Sequence, residues 1–171
     1  MGFYLIAILL IGLGIIFDQY TKYLAVINLK DAPITIIDGV FELRYLENRG
    51  AAFGMLQNKQ WFFLVIGVLL LIAAVILFLK LPRTKRVLPI HICMMFITSG
   101  AIGNMIDRIR LNYVIDFLYF KLIDFPIFNV ADIYVSVSTF VLAALLLFYY
   151  KDDELDAFFR IFSFKKKAEQ E

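Results

Sequence analysis

The chain has 171 residues, 62% of them hydrophobic, with a mean hydropathy of +0.82. Soluble domains carry roughly 45–50% apolar residues, so most of this surface requires lipid as its solvent, and the length allows one domain, residues 1–171. A net charge of +2, without a basic patch interleaved with aromatics, points away from nucleic acid. The single cysteine excludes an internal disulfide, and the single histidine excludes a multi-histidine metal centre.

The first apolar segment, residues 3–27, has no basic residue before it and no small-residue cleavage site after it. It is expected to stay in place as a span, with Asp18 and Lys22 toward its end. In the loop that follows, residues 28–60, Ile34–Ile37 and Val40–Leu46 flank Asp38-Gly39, a favoured pair for a tight hairpin. Phe41, Leu43 and Tyr45 alternate with Glu42 and Arg44, which predicts a small sheet with one apolar face. Trp61–Leu79 is nineteen consecutive apolar or glycine residues and forms the second span. A third span covers residues 87–109 and turns polar at Asn104, Asp107 and Arg108. The loop 110–132 leads to a fourth span, 133–150, interrupted only by Ser136, Ser138 and Thr139. About 20 helical residues cross a core of about 30 Å, and only helices satisfy every backbone group within one segment. The fold class is therefore an all-α integral membrane bundle of four helices with a small outer sheet. In the tail, residues 151–171, Leu155, Phe158, Phe159 and Phe162 share a helical face ahead of Lys165-Lys166-Lys167. That pattern fits an interfacial helix on an anionic leaflet or, equally, a disordered tail. There is no internal repeat and no low-complexity linker.

Orientation follows from the short stretch Lys80–Arg86, which holds four basic residues and no acid and so belongs in the cytoplasm. Both termini then lie inside, and loops 28–60 and 110–132 lie outside. Lys30, Arg44, Arg49, Lys59, Arg110 and Lys121 in those outer loops run against this bias.

Polar groups near hydrocarbon cost several kcal/mol on most scales, and here they gather at the outer ends of three spans. Asp18 and Lys22 are an i,i+4 pair in the favourable order; a neutralised pair snorkelling to the interface would explain them as well as function does. Gly100, Asn104, Asp107 and Arg108 share one face of the third span, where Asp107 and Arg108 suit a structural ion pair. Asn129 and Asp132 can be the cap and first-turn acid of the fourth span, and Asp116 alone can be an ordinary loop acid. Asp116 and Asp132 held close together would share one proton, one activating water and the other donating to a carbonyl. His91 and Cys93 face apart and read as packing residues. A Ser99–Lys22 pair places the serine about a turn too deep.

At these residues the chain resembles the bacterial lipoprotein signal peptidases, also called signal peptidase II. Five blocks stand in order: Asp18-Gln19-Tyr20-Thr21-Lys22, Asn48-Arg49-Gly50-Ala51-Ala52-Phe53-Gly54, Gly100-Ala101-Ile102-Gly103-Asn104-Met105-Ile106-Asp107-Arg108, Val114-Ile115-Asp116-Phe117 and Phe128-Asn129-Val130-Ala131-Asp132. The resemblance implies an aspartic endopeptidase of the bacterial cytoplasmic membrane. Its substrates would be diacylglyceryl-modified prolipoproteins, cut just before the lipidated cysteine, and globomycin would inhibit it. It implies Asp116 and Asp132 as the catalytic pair, with Asn48, Gly50, Asn104, Asp107, Arg108 and Asn129 lining or bracing the site. Asp18 and Lys22 match the polar pair of the family's first span, with a structural or substrate-positioning role. It implies no metal and no cofactor, and nothing in the chain calls for an oligomer, so a monomer in membrane lipid is expected. The hairpin would match a small sheet on the membrane surface, and Tyr113–Phe120 a short outer helix covering the site. One departure is Asn112, where the family usually has glycine; asparagine tolerates positive φ better than other residues. Two rivals remain: a transferase holding Mg²⁺ on Asp107, Asp116 and Asp132, and a small transporter or lipid-binding subunit in which buried charges mark a pathway.

Overall fold

In the computed structural model, which describes residues 2–50 and 60–160, four helices are long and apolar enough to cross a membrane. They are α1 (Gly2–Leu29), α2 (Gln60–Lys80), α3 (Leu88–Leu111) and α4 (Val130–Ala144), the last continuing as a π-helical turn, Leu145–Tyr149. Pro82 follows α2 and Pro89 sits in the first turn of α3, both places where proline costs no helical hydrogen bond. The fourth helix begins three residues earlier than its apolar run suggests, because Asn129 and Asp132 cap it reciprocally. Asn112 closes α3 with φ 61°, its N–H donating to Arg108 O at 3.1 Å. The left-handed turn thus stands with asparagine in place of glycine.

α3 is the central helix: half of its span is buried, against 6% for α2. Two glycines let its neighbours approach. A Cβ on Gly100 would strike the Ala131 carbonyl on α4, and one on Gly103 would strike the Asp18 carboxylate on α1. Further toward the opposite end, Ser99 donates to Met95 O (2.9 Å) and Ile11 O (3.3 Å) rather than meeting Lys22. His91 is a packing residue, its ring edge-on to Phe3 and Phe78 at 5.1 and 4.9 Å, and Cys93 is buried and free.

A three-stranded antiparallel sheet caps one end of the bundle in the order β1 (Ile34–Ile37), β2 (Phe41–Asn48), β3 (Val114–Phe120). Gly39 supplies the positive φ (68°) that turns the hairpin. The segment Tyr113–Phe120, expected as an outer helix, is instead mostly strand β3. Its β-branched and aromatic residues suit a pleated surface, and only a single 3₁₀ turn, Lys121–Ile123, follows. Between β2 and β3 the register slips by one residue from Leu43↔Leu118 to Leu46↔Asp116. Strict alternation therefore fails at Tyr45. The slip puts Leu46 and Asn48 on the same side as Asp116, which matters for the site.

At the other end, Leu81, Val87, Ile90, Met94 and Tyr150 form a core. The tail forms α5 (Asp152–Arg160), and its Leu155 and Phe158 pack on this core rather than on lipid. Phe162 and Lys165–Lys167 lie outside the described residues.

Candidate active site

The sheet end of the bundle collects the residues that the sequence singled out as a candidate site. Asp18 and Lys22 do not snorkel. They are 0% and 1% exposed and pair at 2.9 Å. Lys22 Nζ also lies 2.9 Å from Asp107 Oδ2 and donates to Asn104 Oδ1 at 2.8 Å, so its three protons have three acceptors. Asp107 is thus matched with Lys22. Among the described residues it makes no ion pair with Arg108, whose consecutive position on the helix turns it away. Arg108 donates to the Asn104 carbonyl (3.3 Å) and lies over the Phe63 ring at 5.1 Å.

Asp116 sits on β3, not in a loop, and is 1% exposed. Asp132 sits in the first turn of α4, partly exposed. Three asparagines connect and orient these two carboxylates, and each has its amide direction fixed by a group that can only donate. Asn48 Oδ1 accepts from Gly50 N (3.0 Å), so its Nδ2 faces Asp116 Oδ2 (2.8 Å). Asn129 Oδ1 accepts from Asp132 N (2.9 Å), so its Nδ2 faces Asp116 Oδ1 (2.6 Å). Asn104 Oδ1 accepts from Lys22, so its Nδ2 faces Asp132 Oδ1 (2.8 Å). Asn129 and Asn104 also meet, at 3.1 Å. An aspartate at any of the three places would set carboxylate against carboxylate, which is why the residue type is asparagine. Asn129 and Asp132 are therefore a helix cap and, through the same side chains, part of the site.

Burial drives the Asp116 carboxyl upward and the adjacent Asp132 charge adds to it. Against the pull of the Asn48 and Asn129 hydrogen bonds, it is pushed up to about 7. A carboxyl at that value holds its proton part of the time at neutral pH, as one member of a proton-sharing pair must. Above the pair opens a cleft of about 910 Å³, walled by Arg44–Asn48 of β2, Arg49 and Gly50 just beyond it, Phe125–Phe128 and Arg108. Ile133, Ser136 and Val137, one face of α4, extend the cleft along the helix.

Two contributors went unread in the sequence. Gln19 donates to Asp107 Oδ1 (2.9 Å), to Gly103 O and to Asp18 Oδ2 (3.2 Å each). A third polar residue in the last turns of an otherwise apolar span was the signal for it. Phe63, beneath Arg108, lay inside an unbroken apolar run and carried no signal.

A family model described as Signal peptidase (SPase) II matches residues 10–148. The chain belongs to the signal peptidase II family. A lipoprotein signal peptidase of Clostridioides difficile (strain 630) is 44% identical over 154 residues, covering 87% of this chain and 97% of the relative. One from Streptococcus thermophilus (strain CNRZ 1066) is 45% identical over 138 residues, 80% of this chain and 86% of its own. A solved bacterial membrane enzyme superposes with a TM-score of 0.71 at 30% identity, covering 96% of this chain and 94% of that one. Another reaches 0.72 at 32% identity, over 84% and 94%. The protein is thus a multi-pass bacterial membrane protease of lipoprotein signal peptides, and its substrates are prolipoproteins.

Proposed function

We propose that this signal peptidase II is an aspartic endopeptidase that works without a metal, with Asp116 and Asp132 as its catalytic dyad. The observation that carries this reading is the bridged pair itself. Two carboxylates from different elements, β3 and α4, meet in one largely dry site through Asn129 and Asn104. The ionised member takes a proton from water as its oxygen attacks the scissile carbonyl carbon. The protonated member donates to the carbonyl oxygen. Collapse of the tetrahedral diol breaks the C–N bond, the proton passes to the leaving amine, and a new carboxyl and a free amino terminus result. Which aspartate is the base belongs to the pair rather than to either residue, because coupled groups titrate together.

The substrate is a diacylglyceryl-modified prolipoprotein, cut just before the lipidated cysteine. The α4 wall of Ile133 and Val137, which are 38% and 54% exposed, opens the cleft sideways toward lipid. A signal-peptide helix enters there with its acyl chains still in the bilayer. Arg108 and Asn48 line the cleft and face the peptide. The basic turn Lys80–Arg86 lies at the end opposite the sheet, which supports both termini in the cytoplasm and the site at the outer face. A Mg²⁺ site on Asp107, Asp116 and Asp132 is disfavoured by geometry, since Lys22, Gln19 and the Ile115 N–H occupy both Asp107 oxygens. Cleavage of a diacylglyceryl-modified prolipoprotein in EDTA tests the assignment. Wild type should cut and both Asp→Asn variants should not; an active folded variant, or a wild type silenced by EDTA, would sink it. Globomycin should block the wild-type reaction.

A further inference from the structure

The polar cluster between α1 and α3 is larger than packing requires, and its outward hydrogen bonds end at particular places. Asp18 Oδ1 accepts from Ala131 N (2.9 Å), the peptide N–H one residue before Asp132. Asp107 Oδ2 accepts from Ile115 N (3.2 Å), the peptide N–H one residue before Asp116. Asn104, the third acceptor of Lys22, holds the Asp132 carboxylate directly. Each arm of the dyad is thus anchored by a buried group, and all three groups converge on Lys22 Nζ at 2.8–2.9 Å.

We infer that Lys22 is a positioning residue of the peptidase: a buried ammonium that ties the backbone ahead of Asp116 to the backbone ahead of Asp132 and so fixes the separation of the two carboxylates. The inference rests on the dyad reading above. Packing alone would be served by apolar residues, and a buried ammonium with two carboxylates is costly to bury for stability alone. What the arrangement adds is directional constraint. β3 meets the chain ahead of α4 where Leu118 and Phe128 exchange backbone hydrogen bonds (2.8 and 3.0 Å) and Asn129 Nδ2 donates to Ile115 O (3.3 Å). Lys22 adds, from a third element, α1, a tie between the Ile115 and Ala131 N–H groups through Asp107 and Asp18. It also orients Asn104, because an ammonium cannot accept and therefore commits the Asn104 oxygen to itself.

Two variants separate geometry from charge. The first is Lys22→Met with Asp18→Asn and Asp107→Asn, which removes the brace without leaving a charge unpaired. Folded protein, judged by monodispersity and melting temperature in detergent, should keep KM within about twofold while kcat falls about a hundredfold, the scale of an ångström's misplacement. The second is Lys22→Met alone, read by the pH dependence of kcat/KM, which is independent of the active fraction. The groups facing Asp116 are Asp132 from α4, Arg108 and Lys22 from α3 and α1, and the neutral Asn48 and Asn129. Of these, Lys22 pulls the Asp116 carboxyl down, so its loss should move the alkaline limb, the one set by the raised carboxyl, to higher pH. A triple variant turning over within about threefold of wild type, or a Lys22→Met profile superimposable on wild type, overturns the inference. Asp116→Asn and Asp132→Asn belong in the same series. If they are inactive while the triple variant is active, the brace alone fails; if they are active, the dyad reading itself fails.

Discussion

The two ends of the bundle handle buried and half-buried charge in opposite ways. At the end carrying α5, Arg86 meets Glu154 through two hydrogen bonds of 2.9 and 3.0 Å. It also donates to Tyr149 O (2.6 Å) and stacks over the Tyr149 ring at 3.8 Å. One cation faces one anion, and the neighbouring groove is apolar. At the sheet end, four carboxylates, Asp18, Asp107, Asp116 and Asp132, share two cations, Lys22 and Arg108. A structural cluster ends in neutrality; this one is short of positive charge, so a proton has to make up part of the difference. Burial first, and the Asp132 charge after it, push the Asp116 carboxyl up to about 7, and the nearby cations do not offset them.

The comparison breaks most completely at the dyad. Asp116→Asn or Asp132→Asn should lower kcat by at least about a thousandfold, the scale lost when general acid–base chemistry is removed, in the gel-shift cleavage assay. Next come the asparagines. Asn104→Asp and Asn129→Asp change one atom each, yet each adds a fifth carboxylate to the undercompensated end. Both should cost about a hundredfold in kcat with folding retained. A substitution to aspartate that leaves turnover intact would show that amide direction is not what those positions supply.

The charge imbalance should also be visible in stability. The folded-state value of Asp116 lies above its unfolded one, so its neutral form contributes stability that is complete below pH 4. That contribution is lost as pH rises through about 7. Asp116→Asn cannot ionise. Its melting temperature relative to wild type should therefore climb between pH 5 and pH 8, by an amount of order a few degrees, whatever constant offset the new amide brings. A flat difference would mean that the carboxyl is not raised.

How much of this was legible in the sequence follows from where each feature gets its cause. Spans come from local apolar runs, and α1 to α4, the last counted with its π-helical turn, lie within three residues of where those runs place them. The convergence of Asp18, Asn104, Asp107, Asn129 and Asp132 could also be read, because polar groups in lipid have few explanations and these share one depth. Partner choice could not. Adjacent Asp107 and Arg108 look like a pair on paper, but 100° of helix rotation sends them to different neighbours, and Asp107 finds Lys22 on α1. The outer helix that the resemblance implied for Tyr113–Phe120 had no support in the residues themselves, since a mostly apolar run of eight with one acid carries no clear period; pairing with β2 decides for strand. The one-residue slip at Arg44–Tyr45, which brings Asn48 to Asp116, depends on that same pairing and left no local mark.

The smallest effect expected lies at the neutral end, and it sharpens the comparison by its pH range. Arg86→Ala removes the partner of Glu154, whose carboxyl is held at about 2 chiefly by the Arg86 hydrogen bonds. Because the folded value is depressed, the pair's contribution is present at neutral pH. It is lost only as pH falls from the ordinary carboxylate range through about 2. The pair is largely solvated, with side chains 39% and 26% exposed, so the expected change is a drop of only a few degrees in melting temperature. That drop should be constant from pH 8 to pH 5 and should shrink below pH 4. Cleavage should be unaffected, since Arg86 sits at the far end of α3 from Asp107. Two carboxylates in one small protein would then report opposite linkage, Glu154 losing its contribution on acidification and Asp116 on alkalinisation. The sign in each case follows from the main cause: burial raises Asp116, and the Arg86 hydrogen bonds lower Glu154. If Arg86→Ala instead cost activity at constant fold, the two ends would be coupled through α3, and the neutral end could no longer be called purely structural.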